Sequence, residues 1–310
     1  MSVLFTFPGQ GSQRAGMLHT LPNHPQVRQT LEQAADILRR DPLQLDSSAA
    51  LAASQSVQLC LLIAGVAMTR VLAAHDAQPD MVAGLSIGAY AAAVTAGALA
   101  YDDALRLVSL RGHLMDKRYP RGYGMAAIVG LERYQLEPLI MRVHSDDTPI
   151  FLANLNAKRQ LVVAGIDSGL NMLMRLATKA GANKVERLSV SVPSHCPLFQ
   201  EEASMMQKAF ADVVVERPHL TYLSSSFARA LHDPALIADD LAGNLARQVH
   251  WDETSQLAWE RGARLAVEMP SGATLTNLAL PIFADGYAVS CEGNRLETLL
   301  TLIAREQEAR

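Results

Sequence analysis

The pentapeptide Gly84-Leu85-Ser86-Ile87-Gly88 constrains this chain more than any other segment. A short apolar run, Met81-Val82-Ala83, leads into it, and an alanine-rich stretch, Ala89–Ala100, follows. The run reads as a strand and the stretch as a helix, so the pentapeptide is a strand–turn–helix junction of the G-x-S-x-G kind. On such a turn a serine is held in strained backbone and pushed out of the sheet. Glycines flank it because a Cβ there would clash where strand and helix approach. The helix N-terminus then offers backbone N–H groups to a developing oxyanion. A glycine-rich turn with an incidental serine has the same five residues, so the rest of the chain has to separate the two.

A chain of 310 residues, 49% apolar and rich in alanine, has room for one large α/β domain or two moderate ones. Its net charge of −4 and lack of a basic tract argue against a nucleic-acid surface. Met1-Ser2-Val3-Leu4-Phe5 has no basic n-region or long apolar h-region, so no signal peptide is predicted. The apolar stretches near Leu59–Val66 and Ala89–Ala100 are too short or too polar-flanked to predict a membrane span. Cys60, Cys196 and Cys291 are scattered and form no C-x-x-C pair. That usage fits a reducing cytoplasm and predicts neither a disulfide framework nor a metal site. Cys196, beside His195, could be a thiol nucleophile; a structural cysteine is the commoner case.

Val3–Phe7 reads as a strand buried on both faces, ending in the loop Pro8-Gly9-Gln10-Gly11-Ser12-Gln13. Helices are predicted over Val27–Arg39, Ser54–His75 and Asp102–Lys117, and Arg118–Gly124 reads as a linker. The texture then changes. Met125–Val129, Ile150–Asn154, Gln160–Ala164 and Lys184–Val190 read as strands, with helices over Leu131–Val143 and Ser168–Ala180. The order β-α-β-β-α-β is that of a ferredoxin-like module. Longer helices return at Pro197–Val213, Ile237–Gln248 and Glu297–Ala309, with a strand at Arg264–Met269. The expected organisation is a discontinuous α/β core, residues 1–121 and 192–310, interrupted by a small α+β subdomain, residues 122–191.

A serine nucleophile needs a base within hydrogen-bond reach. Six of the histidines, among them His19 and His144, sit in polar or turn-like settings. His195 lies in Val192-Pro193-Ser194-His195-Cys196-Pro197, where flanking prolines stiffen the loop and aim the side chain. A satisfied structural histidine fits that loop too. Arg111 shares a helical stripe with Leu107, Leu110 and Leu114. A guanidinium there could snorkel or make an internal ion pair. It could also face a substrate carboxylate, since it keeps its charge and pairs bidentately.

Gly9-Gln10-Gly11-Ser12-Gln13, the elbow, Arg111, Asn154-Leu155-Asn156 with Val162-Val163-Ala164-Gly165, Val192-Pro193-Ser194-His195 and Arg247-Gln248 occur in this order. In that joint pattern the chain resembles the malonyl-CoA:acyl carrier protein transacylase family over nearly its whole length. The resemblance implies a hydrolase-like α/β core with a parallel sheet plus an inserted ferredoxin-like subdomain. It implies Ser86 as nucleophile and His195 as its base, a pair without a triad aspartate. Gln10 and Ile87 would supply oxyanion-hole N–H groups, and Arg111 would hold the malonyl carboxylate. Gln248 would belong to the segment that orients the histidine and binds substrate; Asn154 and Asn156 would shape the cleft near the carrier entrance. The substrate would be malonyl-CoA, the partner an acyl carrier protein with a phosphopantetheine-type thiol arm, and no metal or redox cofactor is implied.

Two places depart from that family's pattern. Where it has histidine before the serine and glutamate after Gly88, this chain has Leu85 and Ala89. The C-terminal Val-Gly-Pro-Gly becomes Glu268-Met269-Pro270-Ser271-Gly272. With Tyr222-Leu223-Ser224-Ser225-Ser226 downstream, the elbow resembles that of the malonyltransferase subunit of bacterial malonate decarboxylase. That branch would charge a dedicated carrier and could contact the other decarboxylase subunits. The rivals are a fatty-acid or polyketide malonyl transacylase, a thioesterase, and a carrier-docking subunit without catalysis.

Overall fold

The structure, a computed structural model, describes residues 2–119, 121–190 and 192–309. Pro120, in the predicted linker, and Ser191, at the predicted inner end of the small subdomain, lie outside the described residues. The strands are β1 (Ser2–Phe7), β2 (Met81–Gly84), β3 (Tyr123–Val129), β4 (Ile150–Ala157), β5 (Gln160–Ile166), β6 (Lys184–Arg187), β7 (Thr221–Ser224), β8 (Arg229–Leu231), β9 (Val249–His250), β10 (Ala263–Glu268) and β11 (Tyr287–Ser290). They form two sheets. The larger has the order β11-β10-β1-β2-β7-β8, parallel except for β8, which runs antiparallel to β7.

β1 is central because its residues allow nothing else: Val3, Leu4, Phe5 and Phe7 are all at most 2% exposed, so both faces must be covered. The helix Ser54–Ala73 covers one of them. It has the length and apolar composition of a membrane span, more than the short apolar run predicted, yet nearly all of it is buried inside the protein. It therefore serves as the core helix of this layer. Its N-terminus is capped from outside: Asp116, on the helix Tyr101–Arg118, accepts from the Ser54 and Gln55 N–H groups at 2.8 and 3.1 Å. That contact fixes the two helices that carry Gln58 and Arg111 against each other.

The smaller sheet has the order β6-β3-β5-β4-β9. β3, β4, β5 and β6 are antiparallel neighbours, with the helices Arg133–Val143 and Asp167–Lys179 in their connections. β9 comes from the C-terminal part of the chain and adds in parallel through Asn154 and Leu155 of β4. So a residue pair just after the base-holding turn is stitched into the smaller sheet.

Several predicted elements are shorter than their apolar runs, among them the helix predicted over Pro197–Val213, which is α-helical over Gln200–Phe210. The helix after the elbow is Gly88–Thr95, because Gly97 turns the chain at φ +72°. β6 stops at Arg187. The helix predicted over Ile237–Gln248 is Pro234–Gly243: Asp233 caps its start by accepting from the Ala235 N–H at 2.8 Å, and its end is diverted into a turn that holds His195.

Candidate active site

The carboxyl ends of β1 and β2 face a cavity of about 390 Å³, walled by the Pro8–Gln13 loop, the elbow, the His195 loop and the smaller sheet. Parallel sheets bind ligands at such ends, where the chain leaves a central strand towards opposite sides. The elbow takes its shape from close approach. A Cβ on Gly84 would lie 2.1 Å from the Ala89 nitrogen, and one on Gly88 2.1 Å from the Phe7 carbonyl oxygen. Ser86 sits between them at φ +56°, in the left-handed region, which costs a non-glycine residue about 1–2 kcal/mol. The Leu85 N–H donates to Phe7 O at 3.0 Å and the Ser225 hydroxyl to Gly84 O at 2.9 Å, so the turn is braced from both neighbouring strands.

His195 is also left-handed, at φ +64°, and its N–H donates to Leu245 O at 2.7 Å. Its Nδ1 faces two carbonyl oxygens, Asn244 O at 2.7 Å and Arg247 O at 3.3 Å. Carbonyls only accept, so Nδ1 carries the proton and Nε2 is the free base. Nε2 lies 2.8 Å from Ser86 Oγ. Burial, and then the Arg111 charge, push the imidazole down to about 4, so it is neutral at neutral pH. Among the described residues no carboxylate bonds the ring.

Arg111 is 1% exposed and neither snorkels nor pairs with a carboxylate among the described residues. Its stripe is Ala104, Leu107, Val108 and Met115; the predicted neighbours Leu110 and Leu114 are half-buried flanks. Its Nη1 donates to Gln58 Oε1 at 2.7 Å, and its Nη2 donates at 3.1 Å both to Ser86 Oγ and to Asn244 Oδ1. Its Nε is buried and has no acceptor among the described residues. Burial lowers the group to about 10, still a cation at neutral pH. A cation held by neutral dipoles alone gains from an incoming anion, and this one stands against the serine oxygen.

The structure thus brings Ser86, His195 and Arg111 together. Gln10 lines the cavity, and its side chain donates to Ser54 Oγ at 3.4 Å. The Gln10 and Ile87 N–H groups have no acceptor among the described residues. Asn154 and Asn156 line the cavity on the smaller-sheet side. The Gln248 side chain donates to Leu152 O at 2.7 Å and is not among the residues lining the cavity; of its segment, it is the neighbouring Arg247 carbonyl that bonds His195. Asn244, four residues earlier, does the orienting. Its carbonyl holds His195, its Oδ1 accepts from Arg111, and its Nδ2 donates to Ser86 O at 3.2 Å. Gln58 was also missed; a lone amide in the apolar run from Val57 to Val66 was its signal. Cys196 is a structural thiol, 2% exposed, donating to Pro193 O and pushed up to about 12 by burial.

A serine elbow at the carboxyl edge of a parallel sheet, with a neutral imidazole on its hydroxyl and a buried cation beside it, defines an acyltransferase. The chain belongs to the acyl transferase domain family, whose model matches residues 4–307. It is 33% identical over 291 residues to the malonyl CoA-acyl carrier protein transacylase of Haemophilus influenzae, covering 92% of this chain and 93% of that one. The Bacillus subtilis protein of the same name is 29% identical over 281 residues, 89% of each chain. The solved transacylase of Coxiella burnetii superposes with a TM-score of 0.93 at 32% identity, covering 98% of both chains. A malonyl-transacylase solved in complex with its type II polyketide acyl-carrier protein gives 0.91 at 30% identity, covering 98% of this chain and 100% of that one.

Proposed function

We propose that this enzyme moves a malonyl group from malonyl-CoA to an acyl carrier protein through an ester on Ser86. The observation that carries the reading is the contact of Ser86 Oγ with both His195 Nε2 at 2.8 Å and Arg111 Nη2 at 3.1 Å. His195 Nε2 takes the hydroxyl proton as Oγ attacks the thioester carbonyl. The carbonyl π electrons move to oxygen, and the oxyanion is received by the Gln10 and Ile87 N–H groups. Collapse breaks the C–S bond; the His195 proton leaves with the CoA thiolate, and the malonyl-serine ester remains. The carrier thiol then gives its proton to His195, attacks the ester, and Ser86 regains a proton as it departs.

The carbonyl oxygens of Asn244 and Arg247 do the work a triad carboxylate does elsewhere. They fix the tautomer and favour the transient imidazolium, and they lie just past the C-terminus of a helix, where partial negative charge collects. Arg111 selects a free carboxylate, since an acetyl group would leave the buried cation without an anion. No metal or redox step is needed.

The relatives named above support a carrier of the fatty-acid or polyketide kind better than the malonate decarboxylase carrier. The decarboxylase reading rests on Leu85 and Ala89, and Leu85 does line the cavity beside Ser86. Intact mass after incubation with malonyl-CoA tests the common mechanism. Wild type should gain one malonyl unit and Ser86→Ala none; an adduct on the alanine variant removes Ser86 as nucleophile. Transfer to each of the two carriers, measured side by side, decides between the readings.

A further inference from the structure

The last turn of the helix Pro234–Gly243 ends in carbonyls that no further turn can satisfy. Several are claimed nearby: Asp240 O accepts from the Asn244 N–H, which continues the helix pattern by one bond, and Leu241 O from the Tyr90 hydroxyl, both at 2.9 Å, while Gly243 O accepts from the Ala246 N–H at 3.0 Å. Asp239 O, one position earlier, also accepts from Arg247 Nη1 at 2.9 Å. Asn244 O and Leu245 O, just beyond, go to His195 itself, each at 2.7 Å. The imidazole therefore hangs on the end of this one helix, and its place relative to Ser86 depends on what fixes that end.

Besides the Asn244 side chain, which donates to Ser86 O, two buried groups fix it to the elbow's own scaffold. Tyr90 belongs to the helix Gly88–Thr95 that begins at the elbow. Tyr222 belongs to β7, the strand beside β2, and its hydroxyl donates to Asp240 Oδ2 at 2.8 Å. Tyr90 and Tyr222 are 0% exposed and Asp240 1%, and none of the three lines the cavity. Asp240 makes no ion pair among the described residues. An acid buried this way is expensive where an apolar side chain would fill the same space. Acyl transfer as written above gives it no chemical step.

We infer that Tyr90 and the Tyr222–Asp240 pair are positioning residues of this reaction, fastening the helix end that holds His195 to the helix and strand that hold Ser86. They act through Asn244 and Leu245 and touch no reacting atom. The inference rests on the acyl-serine mechanism proposed above.

Tyr90→Phe and Tyr222→Phe each remove one hydroxyl. The double variant Tyr222→Phe/Asp240→Leu removes both ends of the pair, so that neither the tyrosine hydroxyl nor the carboxylate is left buried without the other. For each, malonyl transfer is followed at varied malonyl-CoA, with the rate of adduct formation on Ser86 and the melting temperature. Because small misplacements of reacting groups are costly, kcat and the adduct rate should fall about tenfold. KM for malonyl-CoA should stay put, since Arg111 and the cavity are untouched. Wild-type kcat in the tyrosine variants would overturn the inference, as would a loss that only follows the unfolded fraction. If Tyr222→Phe does not fold, Tyr90→Phe and the double variant carry the same test. A wild-type enzyme that forms no adduct takes down the acyl-serine mechanism and this inference with it.

Discussion

The cavity has two walls of different construction. On the larger-sheet side Ser86 and His195 line the cavity, and Arg111 and Asn244 behind them complete a set tied together by buried hydrogen bonds of 2.7 to 3.2 Å; two of the four hold left-handed backbone. On the smaller-sheet wall Asn154 Oδ1 and Asn156 Oδ1 are buried with no partner among the described residues. Arg187 there is held at the rim by Asp167 and the Tyr123 carbonyl. One side has its catalytic side chains committed to one another before any substrate arrives, with donors left over, among the described residues, at the Gln10 and Ile87 N–H groups and Arg111 Nε, and the other keeps acceptors in reserve. Chemistry needs the first property, because donors aligned in advance cost no reorganisation at the moment of reaction. Recognition of a long thioester arm suits the second, because amide N–H groups of the arm can satisfy waiting oxygens.

The sharpest way to break the committed wall is to remove its cation. Arg111→Ala should slow malonyl transfer on the order of a hundredfold, the usual cost of truncating one partner of a buried charge pair. Acetyl transfer should change far less, so the preference for malonyl-CoA over acetyl-CoA should narrow. Competition between the two thioesters measures it. An undiminished preference would mean that the wall selects its acyl group by some other means.

A smaller effect tests the neutrality of the base. His195 in the folded enzyme takes up its proton near 4, below the ordinary histidine value of 6.5. Its active form is neutral, so kcat/KM should stay level from neutral pH down towards 4 and then fall about tenfold per pH unit. Stability has the same sign. The unfolded chain protonates this histidine near 6.5 and the folded one only near 4, so the unfolded state binds more protons in between. Folding stability is therefore lost as pH falls through that window, by up to about 3 kcal/mol at 1.36 kcal/mol per pH unit. Urea midpoints at pH 7 and 4.5, for wild type and His195→Gln, should differ more in wild type.

How far each wall could be read from sequence follows the same division. Ser86, Arg111 and His195 have local signals: a turn that glycines flank, a charge on an apolar stripe and prolines that stiffen a loop. Each signal also fits a structural residue, and only their joint order, shared with the transacylase family, assigns them roles. Gln248 is named from the Arg247-Gln248 motif of the resemblance, whereas the side chain that reaches Ser86 and Arg111 is that of Asn244, just past the helix end at Gly243. Nothing in that motif reveals that the carbonyl of Asn244 is claimed by His195, which lies 49 positions away. β7 and β11, four residues each and without alternation, have no local signature; they are strands because the sheet supplies their partners. The order β3, β4, β5, β6 was readable, while the addition of β9 to that sheet rests on a two-residue contact from far along the chain.

The smallest effect should come from the uncommitted wall, and its kind matters more than its size. Asn154→Ala or Asn156→Ala removes an oxygen that waits for a donor, without touching Ser86, His195 or Arg111. One neutral hydrogen bond is worth about 1 kcal/mol, or roughly fivefold in affinity. That loss should appear in KM for malonyl-CoA or for the carrier, with kcat for malonyl transfer nearly unchanged. Steady-state kinetics with each substrate varied in turn separates the two. If either variant instead lowered kcat at constant KM, the smaller-sheet wall would be part of the chemistry, and the contrast between a committed and a waiting wall would fail.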